Sequence, residues 1–299
     1  MLKLQTPVTE DKCRSGISYS DKTMILGSCF ADNAGRILTG LGFDACVNPF
    51  GTLYNPASVA SALERLVSGE EFTERECVKI GSGDGRTCSF SHHTSFARES
   101  EAAFLENANA SLREASAFYR SCNKVIITLG TAWCFRYTGT ACADDFPSAS
   151  LRGKIVSNCL KRNAAEFTRE RLSVREVAEL LEKTVTAPAS AGKHFIFTVS
   201  PIRHLADGAH GNQISKSTLL LAVQSITERY GNTDYFPAYE IMNDELRDYR
   251  FYAEDMVHPS KQAESYIADR FLDWALPDGE RGELERNIRR YKASLHIQK

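Results

Sequence analysis

The chain has 299 residues with 36 basic and 38 acidic side chains, which leaves a formal net charge of −2 at pH 7. That length is sufficient for one large domain or two small ones. A near-neutral chain with scattered basic residues gives no reason to expect a nucleic-acid partner. No apolar run approaches the roughly 18–20 residues that span a bilayer, and the opening residues lack the apolar segment of a signal peptide. We therefore expect a cytoplasmic protein that binds neither nucleic acid nor membrane.

The predicted elements alternate between strands and helices along the chain. Short apolar or β-branched runs predict strands, and capped amphipathic segments predict helices. In chain order these are strand 23–26, helix 31–38, helix 57–66, helix 111–119, strand 124–129, helix 177–185, strand 194–199, helix 215–229, strand 234–242 and helix 261–274. Strands separated by helices indicate a mostly parallel sheet with helices on both faces.

Two further segments lie outside this alternation. Residues 139–158 read as irregular, either a lid or an excursion from the sheet edge. After residue 276, Leu284, Ile288, Tyr291 and Leu295 recur at helical spacing. They predict a terminal helix that docks on the body or on a second subunit.

The nine cysteines show no Cys-x-x-Cys pair and no spacing with histidine that is typical of a metal site. We expect no disulfide framework in so long a chain without an export signal, and no metal. The adjacent His92 and His93 lack a third ligand at a recognisable spacing, so we expect a surface pair, with a positioned histidine near a pocket as the alternative. Cys29 differs from the others because it lies at a predicted helix N-terminus, where a thiol can become acidic and reactive.

Ser28 stands between the first predicted strand, which ends at Gly27, and a helix. In a parallel α/β sheet this junction lies at the carboxyl end of the strand, where ligands bind. Free N–H groups and the positive end of the helix dipole suit a nucleophile whose product is an oxyanion. Two alternatives stay open, namely that Ser28 only caps the helix or that Cys29 attacks instead. Alternation along the strand favours a Cys29 side chain that points away from the site.

A candidate base for this serine lies near the other end of the chain. Asp255 precedes His258 by three residues, and Pro259 keeps the histidine out of the following helix. A carboxylate at that spacing can accept from Nδ1–H and leave Nε2 facing a nucleophile. The alternative is that Asp255 caps a turn and His258 is an exposed loop residue.

At this point the sequence resembles the GSCFA family of the SGNH/GDSL-like hydrolases. The blocks that carry the resemblance are 27–31 (Gly-Ser-Cys-Phe-Ala), 48–52, 129–133, 199–204 and 255–258, and it covers roughly residues 1–274. It implies a flavodoxin-like three-layer α/β/α sandwich with a mostly parallel five-stranded sheet, and ester hydrolysis without a cofactor. Ser28 would be the nucleophile, His258 the general base and Asp255 its orienter. We assign residues 1–275 to this domain and 276–299 to a C-terminal helical extension.

The resemblance also suggests where an oxyanion would be held. The backbone N–H groups of Ser28 and Gly51 match the first two donors of the superfamily. The third block usually reads Gly-x-Asn, whereas Gly130-Thr131-Ala132 here offers no side-chain amide. We expect the Trp133 indole N–H to replace it, with Thr131 or Asn48 as alternatives, although Trp133 can equally be an apolar wall.

The expected function is a serine ester hydrolase that removes a small acyl group, such as acetyl, from a carbohydrate or similar alcohol. Its partner would be that small-molecule ester. Candidate substrate contacts are Asn48, Thr131, Arg203, His204 and Asn212, the last of which can also be a helix cap. Three alternatives remain open: an acyltransferase of the same fold, a binding protein with impaired catalysis, and attack by Cys29. The sequence does not reveal the oligomeric state.

Overall fold

The computed structural model describes residues 6–9, 11–139 and 149–297. Within these ranges the strands are β1 (Lys22–Gly27), β2 (Asp44–Val47), β3 (Cys77–Lys79), β4 (Thr87–Ser89), β5 (Lys124–Leu129), β6 (Trp133–Tyr137), β7 (Ile155–Val156), β8 (Phe167–Arg171), β9 (His194–Val199) and β10 (Thr233–Tyr235). The helices are α1 (Cys29–Gly40), α2 (Pro56–Ser68), α3 (Glu101–Ser121), α4 (Val174–Thr186), α5 (Gly208–Arg229), the single turn α6 (Ala238–Glu240), α7 (Lys261–Ala275) and α8 (Arg281–Ile297).

Five parallel strands form the central sheet, in the order β10-β9-β5-β1-β2. Numbered within this sheet and read from the β2 edge, this is the 2-1-3-4-5 order of flavodoxin-like folds. The predicted three-layer sandwich with a mostly parallel five-stranded sheet is therefore confirmed. Ligands in such sheets bind where the strand order reverses, which is here between the carboxyl ends of β1 and β5.

The central strands are buried on both faces, which explains their almost continuous apolar sequences. In β1, Met24 and Leu26 pack on one side of the sheet and Ile25 on the other. Helices α2 to α5 cover the first side, and α1 and α7 cover the second. Each fully buried aliphatic side chain contributes roughly 1.5–3 kcal/mol. The sheet is therefore a rigid support for the loops at its carboxyl edge.

Several predicted boundaries are wrong. The last strand ends at Tyr235 rather than at 242, because Pro237 cannot donate to a ladder and the chain turns into α6 and a π-helical turn, Ile241–Leu246. Helices α3 and α5 begin ten and seven residues earlier than predicted. Strand β2 has no predicted counterpart, since four residues without a full apolar face show no clear period.

A smaller antiparallel sheet stands beside the carboxyl edge of the main sheet. Strand β6 lies between β7 and β8, and it begins at Trp133, which pairs with Arg171. The predicted irregular segment 139–158 therefore contains one short strand, β7; its residues 140–148 lie outside the described ranges. Strands β3 and β4 form a separate antiparallel pair.

The predicted terminal helix is present as α8. Leu284, Ile288 and Tyr291 pack against the same cluster as α1 and α7, so the helix docks on the body. Gly40, at the end of α1, lies so close to the Tyr291 ring that a methyl group there would overlap it. Among the helices described, none is both long and apolar enough to cross a membrane.

Candidate active site

Strand β1 ends in a backbone conformation that favours glycine. Gly27 has φ of 144°, and a Cβ at this position would overlap the carbonyl oxygen of Thr128 in β5. The next N–H, that of Ser28, donates to the same carbonyl (3.3 Å) and to Thr128 Oγ1 (3.1 Å). The turn from β1 into α1 is thus fastened to β5, at the edge where a site is expected.

Ser28 is fully buried and caps α1. Its hydroxyl accepts from the Phe30 N–H at 3.3 Å and lies 3.5 Å from Thr128 Oγ1. The cap that sequence reasoning left open is therefore present. These contacts hold the hydroxyl within the β1–β5 junction, and the assignment of Ser28 as nucleophile stays a prediction.

Cys29, the first residue of α1, makes the contact predicted for Ser28. Its Sγ lies 3.6 Å from Nε2 of His258. The expectation that Cys29 points away is wrong, because strand alternation no longer applies where the backbone turns into a helix. The first chain segment and the loop before α7 therefore meet through a thiol and an imidazole.

Asp255 holds His258 from the opposite side, as the spacing predicts. Its Oδ2 lies 2.6 Å from His258 Nδ1, and its Oδ1 accepts the N–H groups of Val257 and His258, each at 2.9 Å. These hydrogen bonds lower the pKa of Asp255 to about 2, the two backbone donors contributing most. The carboxylate therefore stays charged at neutral pH and can keep Nε2 directed at Cys29.

The thiol of Cys29 is not acidified by its position. Burial raises its pKa above the usual value, and the carboxylates of Asp32 and Glu264 add to that effect. The helix N–H groups act in the opposite direction but do not prevail. The thiol is therefore protonated at neutral pH and requires a base, for which His258 is in contact.

Both backbone groups predicted as oxyanion donors are occupied by the chain itself. The Gly51 N–H donates to the Asn48 carbonyl at 2.7 Å, and the Ser28 N–H is held by Thr128. Position 132 is a buried alanine, as the sequence indicates, and has no side-chain donor. Neither backbone N–H is free here to meet an oxyanion.

Two of the predicted substrate contacts have structural partners instead. Asn48 uses both ends of its amide: Oδ1 accepts from the Gly27 N–H (2.8 Å) and Nδ2 donates to Asp32 (2.6 Å). Asn212 lies inside α5 rather than at its cap, and its Oδ1 accepts from the His204 N–H at 2.9 Å. Asn48 thus joins β1 to α1, and Asn212 holds the loop after β9.

The other predicted contacts line one cleft of about 600 Å³, which reaches Val257, the chain neighbour of His258. Its walls include Tyr54, Thr131, Trp133, Arg203, His204 and Val257. The Arg169 guanidinium stacks over the Trp133 ring at 5.0 Å. Thr131 Oγ1 lies 2.9 Å from Ser215 Oγ, and Arg203 donates to the Met256 carbonyl at 3.1 Å. Trp133 Nε1 and His204 Nε2 are buried without a hydrogen-bond partner in the described part of the chain.

Lys216, near the start of the predicted helix 215–229, is a further residue beside the site. It is completely buried in α5, and its Nζ donates to the carbonyls of Gly130 and Ser200, each at 2.6 Å. Burial lowers the pKa of Lys216 to about 7. The signal in the sequence is its position on the same helical face as the buried Leu219 and Val223.

The remaining histidine and cysteine candidates lie away from this cleft. His92 is not on the surface: it is buried among Phe50, Phe72, Phe96 and Phe104, and burial lowers its pKa to about 3. Among the described residues, the one group spaced to hold a metal is Cys13, His194 and Asp234, at the amino end of β9. Its members already hydrogen-bond to one another through Asp234.

Comparisons with known proteins give the following results. A comparison with curated proteins finds no match. Among solved structures, a Clostridium thermocellum family 3 carbohydrate esterase matches with 11% identity and a TM-score of 0.38, covering 90% of this chain and 98% of that one. A likeness at that level carries no argument about activity. The GSCFA family model matches residues 22–271, and the chain belongs to the GSCFA family.

Proposed function

We propose that this protein is an acyl-ester hydrolase in which Asp255 orients His258 and His258 activates Cys29. The observation that carries this proposal is the unbroken series of contacts from carboxylate to imidazole (2.6 Å) to thiol (3.6 Å). A nucleophile, a base and an orienting group in this arrangement are what acyl transfer requires. They lie at the carboxyl edge of the sheet, and Val257, between Asp255 and His258 in the chain, lines the 600 Å³ cleft.

The reaction would proceed in two steps. His258 Nε2 takes the thiol proton as the sulfur attacks the ester carbonyl, and the resulting imidazolium then protonates the departing alcohol. This leaves a thioester on Cys29. A water molecule, deprotonated by the same imidazole, attacks the thioester carbonyl, and the sulfur leaves with the proton held by His258. Throughout, the Asp255 carboxylate stabilises the imidazolium.

Cys29 is favoured over Ser28 because of what each side chain already does. The Ser28 hydroxyl is fully buried and caps a helix, an interaction worth about 1 kcal/mol that attack would disrupt. Cys29 is only partly buried and faces the base. A serine nucleophile at position 28, as the family resemblance implies, is the competing assignment.

The cleft supports the predicted substrate class, a small acyl group on a carbohydrate or similar alcohol. Trp133 and Phe135 line the cleft, and a sugar ring can stack on an aromatic face that Arg169 does not cover, while Arg203 offers polar contacts. A thioester also retains the reactivity needed to pass the acyl group to an acceptor alcohol in this cleft. Transfer instead of hydrolysis is thus the second candidate function.

The test uses p-nitrophenyl esters of increasing acyl length together with acetylated sugars, read as alcohol and acid release. We expect turnover confined to short acyl chains, lost in Cys29→Ala and retained in part in Ser28→Ala. Loss in Ser28→Ala alone, with both variants folded, would support the serine assignment. An acceptor alcohol that diverts product from acid to a new ester would indicate transfer. If the unmodified protein turns over no ester faster than Cys29→Ala does, the proposal is refuted and a binding role remains.

A further inference from the structure

The candidate site lacks the side-chain amide that the family resemblance leads us to expect as a donor for the oxyanion. The backbone N–H groups of Ser28 and Gly51 are engaged, and Ala132 has no side-chain donor. Losing one oxyanion donor typically slows a reaction by a factor of about 100 to 1,000, so a replacement matters. Trp133 and His204 line the adjacent cleft, and each has a buried ring nitrogen without a partner in the described ranges, Nε1 and Nε2 respectively.

Of these two nitrogens, His204 Nε2 is the one that lies close to the carboxyl ends of β1 and β5. A methyl group built on Gly130 would lie 3.2 Å from His204 Nε2, 3.5 Å from Ser28 Cβ and 3.0 Å from the Tyr54 carbonyl. The space beside Gly130 is therefore bounded by this imidazole on one side and by the β1–α1 turn on the other. Because glycine has no side chain, these three groups can approach position 130 that closely.

The imidazole is held in place from two directions. Asn212, buried in α5, accepts the His204 N–H and fixes the backbone of the loop after β9. The ring meets Tyr54 edge to face, with centroids 6.1 Å apart. Asn212 is thus a positioning residue for His204, which gives a role to a side chain that sequence reasoning assigned to the substrate.

The surroundings of His204 keep its ring neutral. Burial lowers the pKa of His204 to about 4, and Lys216, His258 and Arg169 act in the same direction. A neutral imidazole carries one N–H and can donate it without competing with His258 for the proton of the nucleophile. With the proton on Nε2, that donor is directed at the space beside Gly130.

We infer that His204, through Nε2–H, donates to the oxyanion in place of the missing asparagine amide. This inference rests on the proposed acyl transfer at Cys29, so its test must separate the two. Alkylation of Cys29 by iodoacetamide provides the separation, since it uses the thiol and His258 but forms no oxyanion at a carbonyl.

The experiment compares His204→Ala and His204→Gln with His210→Ala, which removes an exposed histidine of α5. Each protein is assayed with p-nitrophenyl acetate, corrected for Cys29→Ala, and for the rate of Cys29 alkylation followed by mass spectrometry. His204→Ala should lower kcat for the ester about 100-fold or more with little change in KM and an unchanged alkylation rate. His204→Gln should recover part of kcat, because its amide supplies an N–H.

Four results would overturn the inference. Unchanged ester turnover in His204→Ala would show that this imidazole donates nothing. An equal loss of alkylation and turnover would assign it to the nucleophile's activation or to folding. A larger kcat loss in Trp133→Phe, which removes the indole donor but keeps an aromatic ring, would assign the role to Trp133. If the unmodified protein alkylates at Cys29 but turns over no ester, the proposed function itself fails, and the inference with it.

Discussion

At the scale of single residues, the site depends on one imidazole that serves a thiol of raised pKa. Because burial and two carboxylates keep Cys29 protonated, its reactivity at neutral pH must come from His258 rather than from the helix N-terminus. In His258→Asn we expect iodoacetamide to alkylate Cys29 about tenfold or more slowly at pH 7, with the rate recovering at alkaline pH. His210→Asn is the matched control. An unchanged rate would mean that the thiol needs no base.

The orienting carboxylate gives a second prediction at this scale. Asp255→Asn should lower kcat/KM for p-nitrophenyl acetate by about 100-fold or more, because an amide can favour the wrong tautomer of His258. Glu254→Gln changes an exposed neighbouring acid and should have no such effect. Since the pKa of Asp255 is about 2, its own titration should leave activity unaltered above pH 4. Equal activity of the two variants would argue against the triad.

At the scale of elements, the turn from β1 into α1 decides which side chain meets the base. Gly27 combines a φ of 144° with a Cβ position that Thr128 occupies. Gly27→Ala should therefore lower the free energy of unfolding by about 3 kcal/mol, measured by urea denaturation. Gly231→Ala is the control, since nothing lies within 4 Å of its Cβ position and its φ is ordinary. Similar values for the two variants would contradict this account of the turn.

The same junction explains what sequence reasoning could and could not predict about the site. The position of the turn from β1 into α1, and the pairing of Asp255 with His258, follow from local patterns of a few residues. Which of Ser28 and Cys29 faces the base depends on the direction in which α1 leaves the strand, and the strand period gives the wrong answer there. Asn48 bonds to partners 16 and 21 residues away, and Asn212 to a partner 8 residues away. No local sequence pattern predicts such contacts.

At the scale of the whole molecule, the main sheet was predictable because β1, β5 and β9 are apolar runs buried on both faces. The short strand β2 and the small sheet of β6, β7 and β8 were not, because their pairing depends on tertiary contacts between short segments. That small sheet matters for function, since Trp133 and Phe135 of β6 line the cleft.

The buried histidines predict how stability depends on pH. Burial lowers the pKa of His92 to about 3 and that of His204 to about 4, against 6.5 when unfolded. Below pH 6.5 the unfolded chain therefore binds more protons than the folded one, and the free energy of unfolding falls as pH drops towards these values. Between pH 7 and pH 4.5 each histidine should contribute a loss of about 2–3 kcal/mol, since one unit of pKa shift corresponds to about 1.4 kcal/mol.

His92→Phe tests this prediction, whatever the substitution does to the free energy of unfolding at neutral pH. The variant places another phenylalanine in an aromatic cluster, and the quantity measured is the difference in unfolding free energy between pH 7 and pH 4.5. That difference should be smaller in the variant than in the unmodified protein. An identical difference would mean that His92 titrates normally.

The most direct test of the central claim is to map the acyl group after the protein is mixed with p-nitrophenyl acetate and quenched in acid. Peptide mass spectrometry should find an acetyl group on Cys29 that hydroxylamine removes and that is absent in Cys29→Ala. In His204→Ala this acetyl group accumulates only if deacylation slows more than acylation. An acetyl group on Ser28, or no acetylation of either residue, would contradict the account.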